Sequence, residues 1–429
     1  MPMYDLCVIG AGWAGFNAAL RAKESGLKVC LIECGQIGGT CLNQGCIPTK
    51  SLIACAKRYS LVKKSSGFGI EADNPRFNFN KIQEKKNNLI RLLAQGMQSR
   101  LSGIDFVASK AHIVTDHEIK VDGQIISTKF MLICTGSRAI ELPQLKFDAA
   151  RIISSDGALS LESLPHSLLI VGGGVIGCEF ASLFSMLGVE VSIVEKMPLL
   201  LPGEDNEAAR KIEVIFKKKG IKVHINADLS AVNLNDYEKV LVCVGRQPNI
   251  SGLGLEGLGI KLGKTGIAVD DYLRTSLDNI YAAGDCTAKV MLAHYASYQG
   301  VAAVENIISG NKNKADNSVV PACVFCDPEI ASVGLNEEKA IAAGLAVKVN
   351  KFDFRASAMA RIIDEPEGFI KVVLDRKSKE IIGGCIVGPK ATELIAVLTM
   401  AVSLRLKAND VRKVIFAHPT LSESLRDAM

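Results

Sequence analysis

The sequence lacks long hydrophobic runs and any visible targeting segment. No apolar stretch reaches the about 18 residues that a membrane-spanning helix needs. The apolar segment 6–9 begins almost at once, without the charged region and cleavage pattern of a secretory signal. The 13 cysteines, an odd number, do not form the paired framework of a small secreted protein. We therefore expect a cytoplasmic protein with no membrane span and with mostly reduced thiols.

Blocks of one charge are also missing. The 50 basic and 45 acidic residues give a net charge of +5, and they are interspersed along the chain. The densest basic run consists of three lysines at 217–219 and directly precedes Gly220, as expected for cations at a helix C-terminus with a glycine cap. A nucleic-acid partner is therefore not predicted.

The composition that remains favours an α/β enzyme. The chain has 429 residues, which predicts two or three domains. Its 48% hydrophobic content suffices for globular cores, and its 22% charged content and 38 glycines suit an α/β enzyme better than a fibrous or disordered chain.

Two cysteines five positions apart, Cys41 and Cys46, lie in the glycine-rich segment 38–50. A regular helix would separate them by about 7.5 Å along its axis, whereas a disulfide needs Cα atoms within about 7 Å. A bond between them therefore requires a distorted backbone, part of which Gly45 can supply. The pair is either two neighbouring buried thiols or a redox-active pair, and zinc is disfavoured because a second short-spaced Cys/His pair is missing.

A glycine-rich turn follows the first predicted strand, Tyr4–Ile9. Gly10, Gly12 and Gly15 open a predicted helix, and the next predicted strand ends at Glu33. This order is typical of a dinucleotide site, in which the glycines let the backbone approach a pyrophosphate and the acid accepts from a ribose hydroxyl.

The same pattern recurs in the middle of the chain. Gly172, Gly174 and Gly177 follow a second predicted strand, and Glu195 ends the strand after the helix. Two such units predict two nucleotides with electron transfer between them. The carboxylate at Glu195 favours the free 2′-hydroxyl of NAD over the phosphate of NADP.

Segment 38–50, GGTCLNQGCIPTK, resembles the active-site segment of the flavin-dependent disulfide reductases, the class I pyridine nucleotide-disulfide oxidoreductases. Within that family it is most similar to the dihydrolipoamide dehydrogenases. The C-terminal segment 418–423, HPTLSE, resembles the acid–base segment of the same enzymes, and segments 245–249 and 283–285 resemble two further signatures. These matches extend along nearly the whole chain.

The resemblance implies specific residues for each role. The catalytic residues would be Cys41, Cys46, His418 and Glu423. FAD would contact Gly10, Gly12, Gly15, Glu33, Gly39, Thr40, Lys50, Gly136, Asp285 and Ala293. Glu179 would pair with Lys50 beside the flavin. NAD would contact Gly172, Gly174, Gly177 and Glu195, with Gly245 in a neighbouring nucleotide-binding signature. No metal ligand is implied.

The resemblance also implies the fold. We expect an α/β protein with two Rossmann-like dinucleotide-binding domains, one for FAD and one for NAD, and a C-terminal α+β dimer-interface domain. The expected boundaries are 1–140 for the FAD domain with the cysteine pair, 141–248 for the NAD domain, 249–318 for a central segment that completes the FAD site, and 319–429 for the interface domain.

The reaction implied is oxidation of protein-bound dihydrolipoyl groups with NAD as the acceptor. The partners would be the lipoyl domains and E2-type core of 2-oxo acid dehydrogenase or glycine cleavage complexes, together with a second copy of the chain. Two alternatives stay open: an NADPH-dependent reductase of a small disulfide such as glutathione, and a catalytically silent flavoprotein subunit.

Some local patterns lead to further expectations. Residues 80–102 predict a helix, residues 106–126 predict antiparallel strands, and residues 129–134 predict a separate strand. Residues 226–237 form a shorter connection than the resembled family has, which leaves the rim of the NAD site open to question. Cys323 and Cys326 lie in an apolar strand pattern and are expected to be structural.

Overall fold

The computed structural model describes residues 3–316 and 318–429. The first part of the chain forms a sheet that is parallel at its centre and antiparallel at one edge, with helices around it. Its elements are β1 (Tyr4–Ile9), α1 (Trp13–Glu24), β2 (Val29–Glu33), α2 (Gly39–Asn43), α3 (Cys46–Lys63), α4 (Phe79–Arg100), β3 (Asp105–Ala108), β4 (Ala111–Thr115), β5 (Glu118–Val121), β6 (Gln124–Ile133) and β7 (Ser137–Ala139). The strand order is β3-β2-β1-β6-β5-β4. Strands β1 and β2 are apolar and almost wholly buried, as a sheet covered on both faces requires.

The second part repeats this architecture. Its elements are β8 (Ile152–Ile153), α5 (Ser155–Leu159), β9 (Ser167–Val171), α6 (Val175–Met186), β10 (Glu190–Val194), α7 (Asn206–Lys218), β11 (Lys222–His224), β12 (Lys239–Val242) and β13 (Arg246–Pro248). The parallel sheet has the order β11-β10-β9-β12-β8. A short antiparallel ladder between β13 and β7 joins the two units.

The next segment returns to the first sheet. It contributes β14 (Ile280–Ala282), which pairs in parallel with β6, and α8 (Ala293–Ser309), which packs along α1. The approach of the two helices is close, because a Cβ at Gly300 would lie 2.1 Å from the carbonyl oxygen of Ala14. The first sheet is therefore completed by residues far along the chain.

The C-terminal part is an antiparallel sheet with helices. Its elements are β15 (Ala322–Val324), β16 (Glu329–Gly334), α9 (Glu337–Ala342), β17 (Val347–Asp353), α10 (Ala358–Ile362), β18 (Phe369–Asp375), β19 (Ile381–Gly388), α11 (Ala391–Ser403), α12 (Ala408–Arg412) and α13 (Glu423–Asp427). The strand order is β15-β16-β19-β18-β17. The expected fold class, with two Rossmann-like units and a C-terminal α+β part, is confirmed.

Helix α3 connects all three parts. Leu52, Ile53 and Ala56 of this helix lie in one hydrophobic core with Phe180 of α6 and Phe369 of β18. Cys46 is the first residue of α3, so the cysteine segment is fixed at the junction of the three parts.

The buried Lys371 on β18 adds a polar link between the second and the C-terminal parts, with its Nζ 2.9 Å from carboxylate oxygens of both Asp205 and Glu337.

Two strand predictions in the first unit are wrong in part. The strand near residue 106 is β3, which pairs in parallel with β2 and not with an antiparallel neighbour. Residues 129–134 are not a separate strand, because β6 runs from Gln124 to Ile133 without a break. Its first half pairs antiparallel with β5, and its second half pairs in parallel with β1. A change of partner within one strand leaves no mark on its residue pattern.

The remaining local features lie in the second and C-terminal parts. The lysine run ends α7, and Gly220 follows in the left-handed region with φ of +83°. The short connection at 226–237 still covers the second sheet, because Leu229, Val232 and Tyr237 pack against its core. Cys326 is wholly buried, and Cys323 lies in β15. Among the residues described, no helix is both long and apolar enough to cross a membrane.

Candidate active site

The first glycine turn leaves free space at the start of α1. Gly10 has φ of +105°, and a Cβ there would lie 2.3 Å from the carbonyl oxygen of Cys134. A Cβ at Gly15 would lie 1.8 Å from the carbonyl oxygen of Gly10. A Cβ at Gly12, in contrast, would meet no protein atom within 4 Å. Gly10 and Gly15 are thus needed by the fold, whereas Gly12 borders open space at a helix N-terminus, where a pyrophosphate fits.

Glu33 is the last residue of β2, the strand that follows the first glycine turn and α1. Its Oε2 accepts from the backbone N–H of Ala11 at 2.6 Å, and its Oε1 accepts from that of Gly35 at 2.7 Å. The carboxylate therefore lies directly behind the glycine turn with both oxygens oriented. Each oxygen keeps a further lone pair that can accept from a ribose hydroxyl.

The second glycine turn has nearly the same geometry. Gly172 has φ of +106°, a Cβ at Gly177 would lie 2.0 Å from the carbonyl oxygen of Gly172, and Gly174 faces open space. Glu195 is buried and accepts from the backbone N–H groups of Gly173 at 2.6 Å and Met197 at 2.7 Å. Both turns fit a dinucleotide, and the carboxylate at Glu195 suits NAD.

The remaining predicted FAD contacts lie at one edge of the first sheet, just after the carboxyl ends of its parallel strands or at a helix start beside them. This is where nucleotides bind in such sheets. Gly136 follows β6, Asp285 follows β14, Gly39 and Thr40 begin α2, and Ala293 begins α8. Gly245 directly precedes β13.

A polar network orients Asp285. The Ser137 hydroxyl donates to Oδ2 of Asp285 at 2.5 Å, and Arg246 donates through Nε to the same hydroxyl at 2.8 Å. Arg246 also donates to the carbonyl oxygen of Ser137 at 2.7 Å. Neither residue was singled out from the sequence, although Arg246 lies within segment 245–249 and Ser137 directly follows Gly136.

The two cysteines lie on either side of a helix break. Cys41 is in α2, the backbone leaves helical geometry at Gln44 and Gly45, and α3 starts at Cys46. The distortion expected from the spacing is thus present. Both thiols are free and partly buried, and they lie close enough for each to shift the pKa of the other.

The environment distinguishes the two thiols. The hydrogen bond from Cys41 is the largest cause that lowers the pKa of Cys46 to about 7; Lys50 adds to it, and burial opposes it. The same hydrogen bond, together with burial, raises the pKa of Cys41. Cys46 is therefore the sulfur that carries the negative charge when the pair is reduced.

Lys50 and Glu179 form the expected ion pair. Lys50 Nζ lies 2.8 Å from both oxygens of Glu179, which is 3% exposed. Phe325 completes the arrangement: its ring centroid is 4.6 Å from Lys50 Nζ, and its backbone N–H donates to Glu179 Oε1 at 2.9 Å. Phe325 was missed, because nothing in the sequence links it to residues more than 140 positions away.

His418 and Glu423 form a second pair at the start of α13. His418 Nδ1 lies 2.9 Å from Oε2 of Glu423, whose Oε1 accepts from the backbone N–H of Thr420 at 3.2 Å. The hydrogen bond with His418 is the largest cause that lowers the pKa of Glu423, so the carboxylate is charged at neutral pH. The His418 side chain is 74% exposed. Within the described residues of one chain, no hydrogen bond or ion pair joins it to the cysteines.

These features together define a class of protein. The chain belongs to the pyridine nucleotide-disulphide oxidoreductase family, whose model matches residues 4–300, and the dimerisation-domain model of that family matches residues 320–429. Enzymes of this family use FAD and NAD(H). The dimerisation domain indicates a homodimer.

Particular relatives narrow the comparison. Dihydrolipoyl dehydrogenases from Chlamydia pneumoniae and Geobacillus stearothermophilus are 39% and 40% identical to this chain, over 98% and 99% of it and 95% of each relative. Among solved structures, LpdA from Mycobacterium tuberculosis has a TM-score of 0.91 and 30% identity, with 99% of this chain and 98% of that one covered. The HOCl-induced flavoprotein disulfide reductase RclA from Escherichia coli has a TM-score of 0.89 and 29% identity, with 99% of each chain covered.

Proposed function

We propose that the protein is a dihydrolipoyl dehydrogenase, which oxidises a protein-bound dihydrolipoyl dithiol to the cyclic disulfide and reduces NAD to NADH. The observation that carries this proposal is the placement of the cysteine pair. Cys46 begins a helix beside the Lys50–Glu179 pair, and that pair joins the two dinucleotide units. The full-length similarity to dihydrolipoyl dehydrogenases supports the choice of substrate.

The protein's own residues account for the thiol chemistry. His418 receives a proton from the substrate dithiol at Nε2, because Nδ1 is held by Glu423. The substrate thiolate attacks Cys41 of the oxidised pair; the Cys41–Cys46 bond breaks, and Cys46 leaves as a thiolate. The second substrate thiol then attacks the first substrate sulfur; the bond to Cys41 breaks, Cys41 leaves as a thiolate that takes up the proton of the second thiol, and the lipoyl disulfide forms. FAD, when bound, supplies the two-electron relay from the reduced pair to NAD.

We further propose that each active site is shared between two subunits, with His418 of one chain beside the cysteine pair of the other. The high exposure of His418 supports this arrangement. Large apolar side chains in the same C-terminal part are exposed as well: Ile415 is 96% exposed, and Met400, Leu404 and Val414 are at least half exposed. Exposed apolar side chains in the part that carries His418 suit a dimer interface.

Mixed dimers test this sharing of the site. Chains with His418→Gln and chains with Cys41→Ser should each be inactive as homodimers, whereas a verified mixed dimer should regain one working site of its two. Turnover of dihydrolipoamide by purified mixed dimers measures this. An absence of recovery in such dimers contradicts the shared site.

The partner follows from the substrate. We propose that lipoyl domains and the E2-type core of a 2-oxo acid dehydrogenase or glycine cleavage complex bring the dithiol to this site. The thirteen free thiols suit a reducing compartment, so we place the protein in the cytoplasm.

The deciding experiment is a comparison of rates. The purified dimer should oxidise dihydrolipoamide with NAD at least about a hundredfold faster than it reduces glutathione disulfide with NADPH, since the Glu195 carboxylate repels a 2′-phosphate. Cys46→Ser serves as the matched control for background thiol oxidation. Faster reduction of glutathione disulfide with NADPH would replace the proposal by the small-disulfide alternative, and inactivity of flavin-loaded protein with both pairs would favour a silent subunit.

A further inference from the structure

Trp13 is the only tryptophan in the sequence, and it is the first residue of α1, directly after Gly12. Its indole Nε1 is fully buried and has no hydrogen-bond partner among the described residues. Buried donors are normally satisfied, so a lone indole N–H beside a reactive site calls for an explanation.

The start of α1 brings Trp13 close to Cys41, the cysteine that the proposed mechanism assigns to the substrate. The start of α1 contacts α2 closely, because a Cβ at Gly39 would lie 2.8 Å from Cα of Gly12. Cys41 is two residues further along α2, and the Trp13 side chain lies near enough to its sulfur to act towards lowering the pKa of that thiol, whereas Cys46 and burial raise it. A neutral thiol that already donates to Cys46 is a weak acceptor, whereas a thiolate accepts strongly.

The nucleotide-binding turn does not itself require this indole. The second unit has Val175 at the equivalent position, and the preceding glycines Gly12 and Gly174 have nearly identical backbone angles. A turn with the same three glycines and the same acid therefore forms with a valine after its second glycine. The tryptophan is a feature only of the unit that carries the cysteines.

We propose that Trp13 is a positioning residue whose indole N–H donates to the Cys41 sulfur whenever that sulfur is a thiolate. This inference rests on the proposed function, in which Cys41 leaves the mixed disulfide with the substrate. In that step the bond between the substrate sulfur and Cys41 breaks, a new bond joins the two substrate sulfurs, and the electron pair of the broken bond stays on Cys41. Trp13 stabilises that charge until a proton arrives.

Other groups that act on Cys41 are distinguishable from Trp13. Cys46 and Lys50 approach from α3, and Arg246 approaches the neighbouring Thr40 from β13, with its Nη2 3.5 Å from the threonine hydroxyl. Removing Cys46 leaves Lys50 and Trp13 as the groups that stabilise the Cys41 thiolate. A Cys46→Ser background therefore isolates the contribution of the indole.

The test is the titration of Cys41 in flavin-loaded Cys46→Ser dimers. The rate of alkylation by iodoacetamide, measured as a function of pH, gives the midpoint of this titration. Trp13→Phe in the same background keeps an aromatic ring but removes the donor, and it should raise the alkylation midpoint by about 0.5 to 1 pH unit. Val175→Phe is the matched control at the equivalent position and should leave the midpoint unchanged. An equal midpoint with and without the indole donor overturns the proposal.

A second measurement needs no change at Trp13. Cys46→Ser protein labelled with 5-fluorotryptophan has a single indole, so its ¹⁹F spectrum should show one environment that shifts with pH. The shift should have the same midpoint as the alkylation. A resonance that does not change across that midpoint contradicts a hydrogen bond to the thiolate. Neither measurement depends on dihydrolipoamide turnover, so failure here is separate from failure of the proposed function.

Discussion

The two dinucleotide units share a backbone but differ in what the chain adds to it. In both, a strand leads into a glycine with φ near +105°, and a carboxylate accepts from the second residue of the turn at 2.6 Å. After Glu33 the chain enters α2 and α3 with their cysteines, whereas after Glu195 it continues towards α7, and no cysteine pair precedes that helix. Nucleotide binding is thus a repeated property of the fold, and the redox chemistry comes from one inserted segment.

An ion pair also ties the helices of the two units together. Glu179 belongs to the helix of the second turn, yet its partner Lys50 belongs to the cysteine helix of the first. A charge placed on α6 therefore acts at the site built on α3. This contact is where the repeated scaffold and the added chemistry meet.

The largest expected effect comes from filling one glycine turn at a time. Gly12→Leu should give a folded but nearly colourless protein, because its side chain enters open space that the pyrophosphate needs. Gly174→Leu should stay yellow and raise the KM for NAD by at least about tenfold, which corresponds to about 1.4 kcal/mol of binding. Flavin absorbance and steady-state kinetics measure the two effects. If either substitution removes both nucleotides, the units are not independent.

An intermediate effect is expected from the second acid. Glu195→Arg should narrow the preference for NAD over NADP by about tenfold or more, because the carboxylate that repels a 2′-phosphate becomes a cation. The same substitution leaves the N–H groups of Gly173 and Met197 without their acceptor, so it should also cost about 1–3 kcal/mol of stability.

Glu195→Gln is the control for this experiment. It keeps a side-chain oxygen for one of the two amides and removes the charge. The ratio of kcat/KM values for the two nucleotides and a thermal unfolding curve give both readouts. Wild-type protein that uses NADPH as well as NADH contradicts the role of Glu195.

The smallest effect concerns the pH dependence of the cysteine unit. Because the pKa of Cys46 is lowered to about 7, the thiolate is present above that pH and is lost as the pH falls through it. Long-wavelength absorbance of the enzyme with its cysteine pair reduced should fade with a midpoint near 7. Since the hydrogen bond from Cys41 is the main cause, Cys41→Ala should move the midpoint upward by about one unit.

Cys41→Ser retains a hydroxyl donor and should shift this midpoint less than Cys41→Ala does. A midpoint that is the same in the alanine and serine variants would show that the lowered pKa has another source, such as Lys50 and the start of α3.

The sequence alone was informative wherever the relevant groups are close in the chain. Strand β1 has the predicted bounds, a glycine turn follows β1 and β9 as expected, and His418 and Glu423 of the resembled acid–base segment are hydrogen-bonded to each other. The break between Cys41 and Cys46 also follows from local geometry. Local rules act through backbone dihedrals and short contacts, which the residue pattern encodes directly.

Contacts between distant segments were not accessible in the same way. The pairing of β3 with β2, the change of partner along β6 and the approach of Phe325 to Lys50 each join residues far apart in the chain. A period-2 pattern states which face of a strand is apolar but not which strand lies beside it. The Lys50–Glu179 pair was expected only through the family resemblance, since spacing alone does not link residues 129 positions apart.

The measurement that tests the account most directly is the visible spectrum of the two single cysteine variants with FAD bound. A thiolate packed on oxidised flavin donates charge into it and absorbs at long wavelength. We propose that Cys46, which lies beside Lys50, is the sulfur that contacts the flavin. Cys41→Ser should therefore show this band at neutral pH, and Cys46→Ser should show none. Both should keep FAD and lose dihydrolipoamide turnover. A band in Cys46→Ser and none in Cys41→Ser would contradict the assignment of Cys46 to the flavin and Cys41 to the substrate.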